Sequence, residues 1–140
     1  MAPSTRHATC VAFENDGILI CGASGTGKSA LALQLMALGA TLVADDQVGL
    51  HVDGNALIAT CPASIVGRIE ARGVGILNAE SRTQAEVALV VDLDQREDKR
   101  LPDRHDITIL GCVIPLLRGV EGIHLAPAIA QMIRAGRSKP

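Results

Sequence analysis

Aromatic side chains are almost missing from this sequence: Phe13 stands alone, with no Trp and no Tyr. Proteins that hold single strands stack bases on such rings. The formal net charge is -2 with no basic stripe, so the electrostatic footprint of duplex binding is missing too. Nucleic acid is therefore not the expected partner. The four cysteines, Cys10, Cys21, Cys61 and Cys112, include no CxxC pair, which argues against a metal knuckle. Cys10, Cys21 and Cys112 lie in apolar runs and read as small core residues, while Cys61 precedes Pro62 and reads as more exposed. No apolar run reaches the ~18 residues of a membrane span. The opening MAPSTRHATC lacks the apolar stretch of a secretory signal. With thiols suited to a reducing compartment, the expectation is a cytoplasmic protein that touches no membrane. Internal repeats are absent.

What is present suffices for one domain. The chain has 140 residues, 48% of them hydrophobic. That length buries roughly 68–70% of its unfolded surface, and that composition argues against disorder. ATCVAFE (8–14) and GILICG (17–22) flank Asn15-Asp16-Gly17, and QVGLHV (47–52) and ALIA (56–59) flank Asp53-Gly54-Asn55. Both read as β-hairpins. Lys28 to Leu38 carries apolar residues at 31, 33, 35, 36 and 38 and meets Gly39, a helix with a glycine stop. TLVA (41–44) and EVALVVDLD (86–94) read as buried strands, ITILGCVIPLL (107–117) as one or two strands around Gly111, and 123–135 as a last helix. Residues 60–84 show little periodicity, QREDKRLPDRHD (95–106) reads as polar and mobile, and RAGRSKP (134–140) as a frayed basic tail. Strands outnumber helices, and hairpins mix with a strand–helix unit. The expected fold is α/β, a single domain over 1–140 with a mixed sheet.

Between ILIC (18–21) and ALALQLM (30–36) stands Gly22-Ala23-Ser24-Gly25-Thr26-Gly27-Lys28-Ser29, a full match to GxxxxGK[ST]. In such a loop the glycines let successive backbone N–H groups point at phosphate oxygens. Lys28 can reach the β- and γ-phosphates, the Ser29 hydroxyl can ligate Mg²⁺, and the helix that follows offers its positive end. The strand–loop–helix context is the one this motif requires. ATP and Mg²⁺ are the expected cofactors.

A phosphate cradle does not name the reaction, which also needs a metal carboxylate and something to handle the nucleophile. Two acidic segments compete. ALVVD (88–92) has the form of an apolar strand ending in a metal-binding acid, Asp92, and TLVADD (41–46) ends in Asp45-Asp46 directly after the loop's helix. The strand that returns from that helix can bring its end near the phosphates. Two carboxylates there exceed one metal contact, so the spare one can serve as a base toward an incoming hydroxyl.

GASGTGKSALALQLMALGATLVADDQV (22–48) resembles the P-loop and following strand of HPr kinase/phosphorylase, and IEARGVGILN (69–78) resembles that family's signature segment. His7 matches the position of the family's active-site histidine, and the resemblance covers about residues 7–130. It implies transfer of phosphate from ATP to a serine of HPr, a small phosphocarrier protein, and removal of that phosphate by phosphorolysis. It further implies a nucleotide domain like that of phosphoenolpyruvate carboxykinase, and a hexamer. Carried over, Asp45 is the base, with His7 beside it tuning its charge. Ser29, Glu70 and Asp46 serve the metal, with the choice of base between Asp45 and Asp46 left open. Arg72 stands beside the nucleotide, and Arg100 on the mobile segment touches the transferred phosphate. The chain departs from the family pattern at Ala30, where an acid is usual, and at PLLRGVEG (115–122), where an arginine- and glycine-rich strand is usual. Two alternatives are a P-loop kinase of a small metabolite and a non-enzymatic ATP-binding regulator. Binding alone needs no base, so Asp45, Asp46 and His7 weigh against the second.

Overall fold

The structure, a computed structural model, describes residues 2–138. Its elements run β1 (Ser4–Phe13), β2 (Asp16–Cys21), α1 (Lys28–Ala37), β3 (Thr41–Ala44), β4 (Gln47–Asp53), β5 (Ala56–Thr60), a 3₁₀ turn (Ala63–Ile65), β6 (Arg68–Ala71), β7 (Gly75–Asn78), β8 (Gln84–Arg96), β9 (His105–Ile109), β10 (Cys112–Gly119) and α2 (Leu125–Ala135). Among the described residues no helix is long and apolar enough to cross a membrane.

The sheet is mixed, as the pattern of hairpins and one strand–helix unit led us to expect. Two strands branch. One edge of β1 pairs antiparallel with β2; its other edge pairs with β4 over residues 4–7 and with β3 over residues 10–12. One edge of β8 runs parallel to β2; its other edge pairs antiparallel with β5 at residues 84–86 and parallel with β10 from residue 90. The β4–β5 hairpin thus bridges β1 to β8, and the path β2, β1, β4, β5, β8 returns to β2. β9 extends the sheet beyond β10, and β6 and β7 form a separate two-stranded ribbon.

Side-chain alternation along these strands fills two cores. Ala8, Cys10, Leu19, Val87 and Val90 face the β4–β5 hairpin, with Leu50 and Leu57 opposite. Val11, Ile18, Ile20, Leu89 and Val91 face the helices, with Leu35 and Ile129 opposite. β8 changes phase once along its length, where its register against β2 shifts: Gly17 pairs with Val87 and Ile18 with Leu89, so Ala88 is the extra residue of a bulge. The expected turn glycine has its purpose here. The first hairpin turns at Glu14 and Asn15, and Gly17 lies within β2, where a Cβ would sit 2.8 Å from the Glu86 carbonyl oxygen.

α1 is built from strong helix formers (Ala, Leu, Gln, Met). Lys28, Leu31, Ala32 and Leu35 are its buried residues, at i, i+3, i+4 and i+7. α2 buries Ala126, Ile129 and Ala130 beside it. Three expectations need correction. The tail is not frayed from 134: α2 runs to Ala135, and Arg134 donates to the Leu38 carbonyl at 2.6 Å while its guanidinium lies over Phe13. The last two residues of the expected tail lie outside the described residues. Residues 95–106 are not a free loop, because β8 and β9 claim both ends and Glu97–His105 and Lys99–Asp103 pairs tether the middle. The Glu97 carboxyl is held below its ordinary range by the Lys99 backbone N–H first and by His105 next. Of the cysteines only Cys10 is fully enclosed, its thiol pushed up to about 12 by burial, whereas Cys21 and Cys112 are half-buried at the core's margin like Cys61.

The packing of α1 sets a stability expectation. Leu35 is fully buried, whereas Leu38 is 37% exposed one turn on. Leu35→Ala should cost about 2–5 kcal/mol, and Leu38→Ala about 0.5 kcal/mol or less. Urea unfolding of both variants checks this, and equal midpoints would refute the assigned face.

Candidate active site

The loop between β2 and α1 opens onto a cleft of about 450 Å³. Gly27 ends the loop at φ 99°, a left-handed backbone that glycine adopts without strain, and α1 starts at the next residue. The floor of the cleft is thus the loop and the first turn of α1: Ser24, Gly25, Gly27, Lys28 and Ser29. His7 and Thr9 of β1 form one side, with Asp46 just past β3. Glu70 of β6, with Arg72 and Val74 of the turn that follows, forms the other wall. Glu70 and Arg72 share that wall, as their spacing along an extended stretch suggested. Gly22, Ala23 and Thr26 belong to the loop but do not line the cleft.

Lys28 is buried, and its ammonium donates to the carbonyls of Gly22 at 2.8 Å and Ala23 at 3.1 Å. The loop thus stores the cation against its own backbone. Asp45 is 8% exposed and its carboxylate is fully engaged. Oδ1 accepts the Ser29 hydroxyl at 2.7 Å and the Thr9 hydroxyl at 2.9 Å; Oδ2 accepts the Glu70 backbone N–H at 3.0 Å. Ser29 spends its proton on Asp45, which leaves its oxygen lone pairs for the cleft.

Asp46 is the opposite case. It is exposed, and its carboxylate lies 3.2 Å from His7 Nδ1. The expectation that His7 sits beside Asp45 is therefore corrected: its partner is Asp46. The reason is local. β3 ends at Ala44, β4 begins at Gln47, and the Gln47 N–H donates to the Asp45 carbonyl at 2.9 Å. Asp46 sits in that tight turn at φ 71°, so the neighbouring carboxylates part, one inward to α1 and one outward to β1. His7 meets the outward one because it is the register partner of Gln47.

Arg100 is exposed in the segment between β8 and β9 and is not part of the cleft lining. Asp92 does not line the cleft either; both its oxygens are taken, by the Asp94 N–H and by the Gln95 amide. Among the described residues no three His, Cys, Asp or Glu side chains are spaced to hold a metal alone. Thr9 escaped sequence reasoning. Its one signal was a hydroxyl in the otherwise apolar run ATCVAF.

Comparison with known proteins was made on sequence and on structure. The family model described as the HPr serine kinase C-terminal domain matches residues 1–118. The HPr kinase/phosphorylase 1 of Oceanobacillus iheyensis is 35% identical over 146 residues, covering 98% of this chain and 45% of that protein. The HPr kinase/phosphorylase of Geobacillus kaustophilus is 38% identical over 113 residues, covering 74% of this chain and 36% of that protein. The chain thus spans less than half the length of these curated relatives. The solved structure of the Hpr(Ser) kinase/phosphatase from Coxiella burnetii superposes with a TM-score of 0.79 at 28% identity, covering 94% of this chain and 88% of that one. With the phosphate loop, the paired acids and the signature ribbon brought to one cleft, the chain belongs to the HPr serine kinase C-terminal domain family.

Proposed function

We propose that the chain is an ATP- and Mg²⁺-dependent protein kinase that phosphorylates a serine of an HPr-like phosphocarrier protein. The observation that carries this reading is the split of the acidic pair: Asp45 is buried on the Ser29 hydroxyl, and Asp46 is exposed beside His7. A binding protein needs the first and has no use for the second. The names of the relatives, all HPr kinases, support the choice of acceptor. The hexamer and the phosphorolysis of phosphoserine by inorganic phosphate, both implied by the family resemblance, belong to the same proposal, as does the cytoplasmic location that the cysteines suggested.

The donor set fits a hard divalent cation, with the Ser29 oxygen on one side and the Glu70 carboxylate on the opposite wall. Bound there, Mg²⁺ would neutralise charge on the phosphates. The chain's own residues divide the remaining tasks. The loop amides and Lys28 bind and orient the polyphosphate once the ammonium leaves the carbonyls of Gly22 and Ala23. Arg72 supplies a second cation at the rim. Asp45 holds Ser29 in place, its two oxygens occupied by three donors. Asp46 is exposed and faces the cleft. Its carboxylate can accept the acceptor serine's proton as the new bond forms, with the His7 ring steadying it at 3.2 Å. Arg100 has no part in this scheme.

Four expectations follow. Incubation with labelled ATP and an HPr-like protein should place label on serine; label on a metabolite, or ATP binding with no transfer, would sink the reading. Lys28→Ala should lower transfer about 10²–10³-fold, the range for losing one donor to developing charge, with near-normal turnover removing Lys28 from the chemistry. In single-turnover assays Asp46→Asn should cut transfer by about 10²–10⁴-fold, the worth of a general base, with ATP affinity within a few-fold. Asp45→Asn should instead raise the Mg²⁺ requirement, because Ser29 loses its orienting partner. If the two variants exchange these behaviours, the base is Asp45.

A further inference from the structure

VVDLD (90–94) has the form of a metal-binding strand end, yet neither of its acids lines the cleft. They form a relay to the loop instead. Asp92 Oδ1 accepts the Asp94 backbone N–H at 2.9 Å, and Asp92 Oδ2 accepts the Gln95 side-chain amide at 2.7 Å. Asp94 Oδ1 in turn accepts the backbone N–H of Ala23 at 2.9 Å, across 71 positions of sequence. The carbonyl of the same Ala23 accepts the Thr26 N–H at 3.2 Å, the Thr26 hydroxyl at 2.7 Å and the Lys28 ammonium at 3.1 Å. Residue 23 is thus fixed on both sides, its N–H by β8 and its carbonyl by the loop.

We propose that Asp94 is a positioning residue for the phosphate loop, and that Asp92 aims it. The inference rests on the reading of the cleft as a nucleotide site. Two of the three Lys28 N–H groups are held by Gly22 and Ala23, and they must leave those carbonyls before the ammonium can turn fully to a phosphate. When the ammonium leaves, the Ala23 carbonyl keeps its Thr26 donors but the Gly22 carbonyl loses Lys28, so the peptide between Gly22 and Ala23 is the part of the loop that can turn. The bond from Ala23 N–H to Asp94 does not involve Lys28, so it holds the strand end of the loop through that exchange. The later amides then stay directed at the cleft. β2 and β8 are paired at this height, Cys21 against Asp92, so the anchor is a sheet edge rather than a loose loop.

The direction of the effect separates this from plain electrostatics. Asp94 is an exposed negative charge at a site meant for polyphosphate. If charge were its only influence, removing it would tighten nucleotide binding. Positioning predicts the reverse. Losing one charge-assisted hydrogen bond at the low end of its range corresponds to about ten-fold in binding. ATP–Mg²⁺ binding to the full chain should therefore weaken about ten-fold in Asp94→Ala, with KM for ATP rising in step and kcat within about three-fold. Asp94→Asn keeps an oxygen acceptor without the charge and should return affinity to within about three-fold of the parent. Melting without nucleotide should leave all three chains alike. Unchanged or tighter binding in Asp94→Ala overturns the proposal, and so does an Asn variant no better than Ala. A parent chain that binds no ATP would refute the nucleotide reading, and the clasp is then decided by hydrogen exchange at the Ala23 amide. Protection lost in the Ala variant and kept in the Asn variant upholds it; equal protection in all three sinks it.

Discussion

The buried carboxylate of Asp45 is the contact on which both fold and site depend. It stands at the end of β3 and receives donors from three other elements: Thr9 of β1, Ser29 of α1 and the Glu70 backbone of β6. Charge-assisted hydrogen bonds of this kind are short and about twice as strong as neutral ones. Losing the acceptor would strand buried donors, which costs more than the bonds themselves return. The β6–β7 ribbon's other ties to the body are Ile69 and Ala79 in the helix-side core and, just past β7, the bonds of Leu42 N–H to the Glu80 carbonyl and of Arg82 N–H to the Leu42 carbonyl. The Asp45 bond to Glu70 therefore also sets how far the far wall of the cleft stands from the loop.

Sheet topology explains why the chemistry gathers at one edge. β2 and β8 are parallel, so their C-terminal ends come out together, and the phosphate loop leaves from the first. β1 is antiparallel to both and brings His7 and Thr9 to the same edge from the opposite direction. β3 pairs with the other side of β1 and delivers Asp45 and Asp46 there after the α1 crossover. A mixed sheet lets residues distant in sequence, 7, 28 and 46, share one cleft, and the β6–β7 ribbon adds 70.

Motifs carried by consecutive residues were legible in the sequence. The loop at 22–29 needs only local spacing, and α1, β3 and the two hairpins follow from short-range periodicity. The division between Asp45 and Asp46 was not legible. It depends on a positive φ at Asp46 and on which strand lies across the turn, and neither is written in the composition of TLVADDQV. Asp92 stayed a rival in the residue pattern for a related reason. An apolar strand ending in an acid looks the same whether its carboxylate meets a metal or a backbone N–H two residues on. Arg100 was placed by analogy with a loop elsewhere, and here Glu97–His105 and Lys99–Asp103 tie that segment down away from the cleft. Arg134 looked like part of a loose basic end because its two partners, Leu38 and Phe13, lie about a hundred residues upstream.

The bulge at Ala88 has a bearing on how this chain tolerates changes of length. Upstream of it Val87 faces the hairpin; downstream Leu89 and Val91 face the helices and Val90 the hairpin. In a regular strand residues two apart share a face, so it is the extra residue that sends Val87 and Leu89 to opposite sides. Deletion of Ala88 would restore an even pairing with β2 and keep every present partner, Gly17 with Val87 and Ile18 with Leu89, so Val90, Val91, Asp92 and Asp94 would keep their faces. Deletion of Val90 instead, past the bulge, would invert the residues that follow and turn Asp92 and Asp94 from their present bonds, and so would reach the phosphate loop without touching it. The segment between β8 and β9 carries no such phase, and insertions there leave the parity of both strands intact.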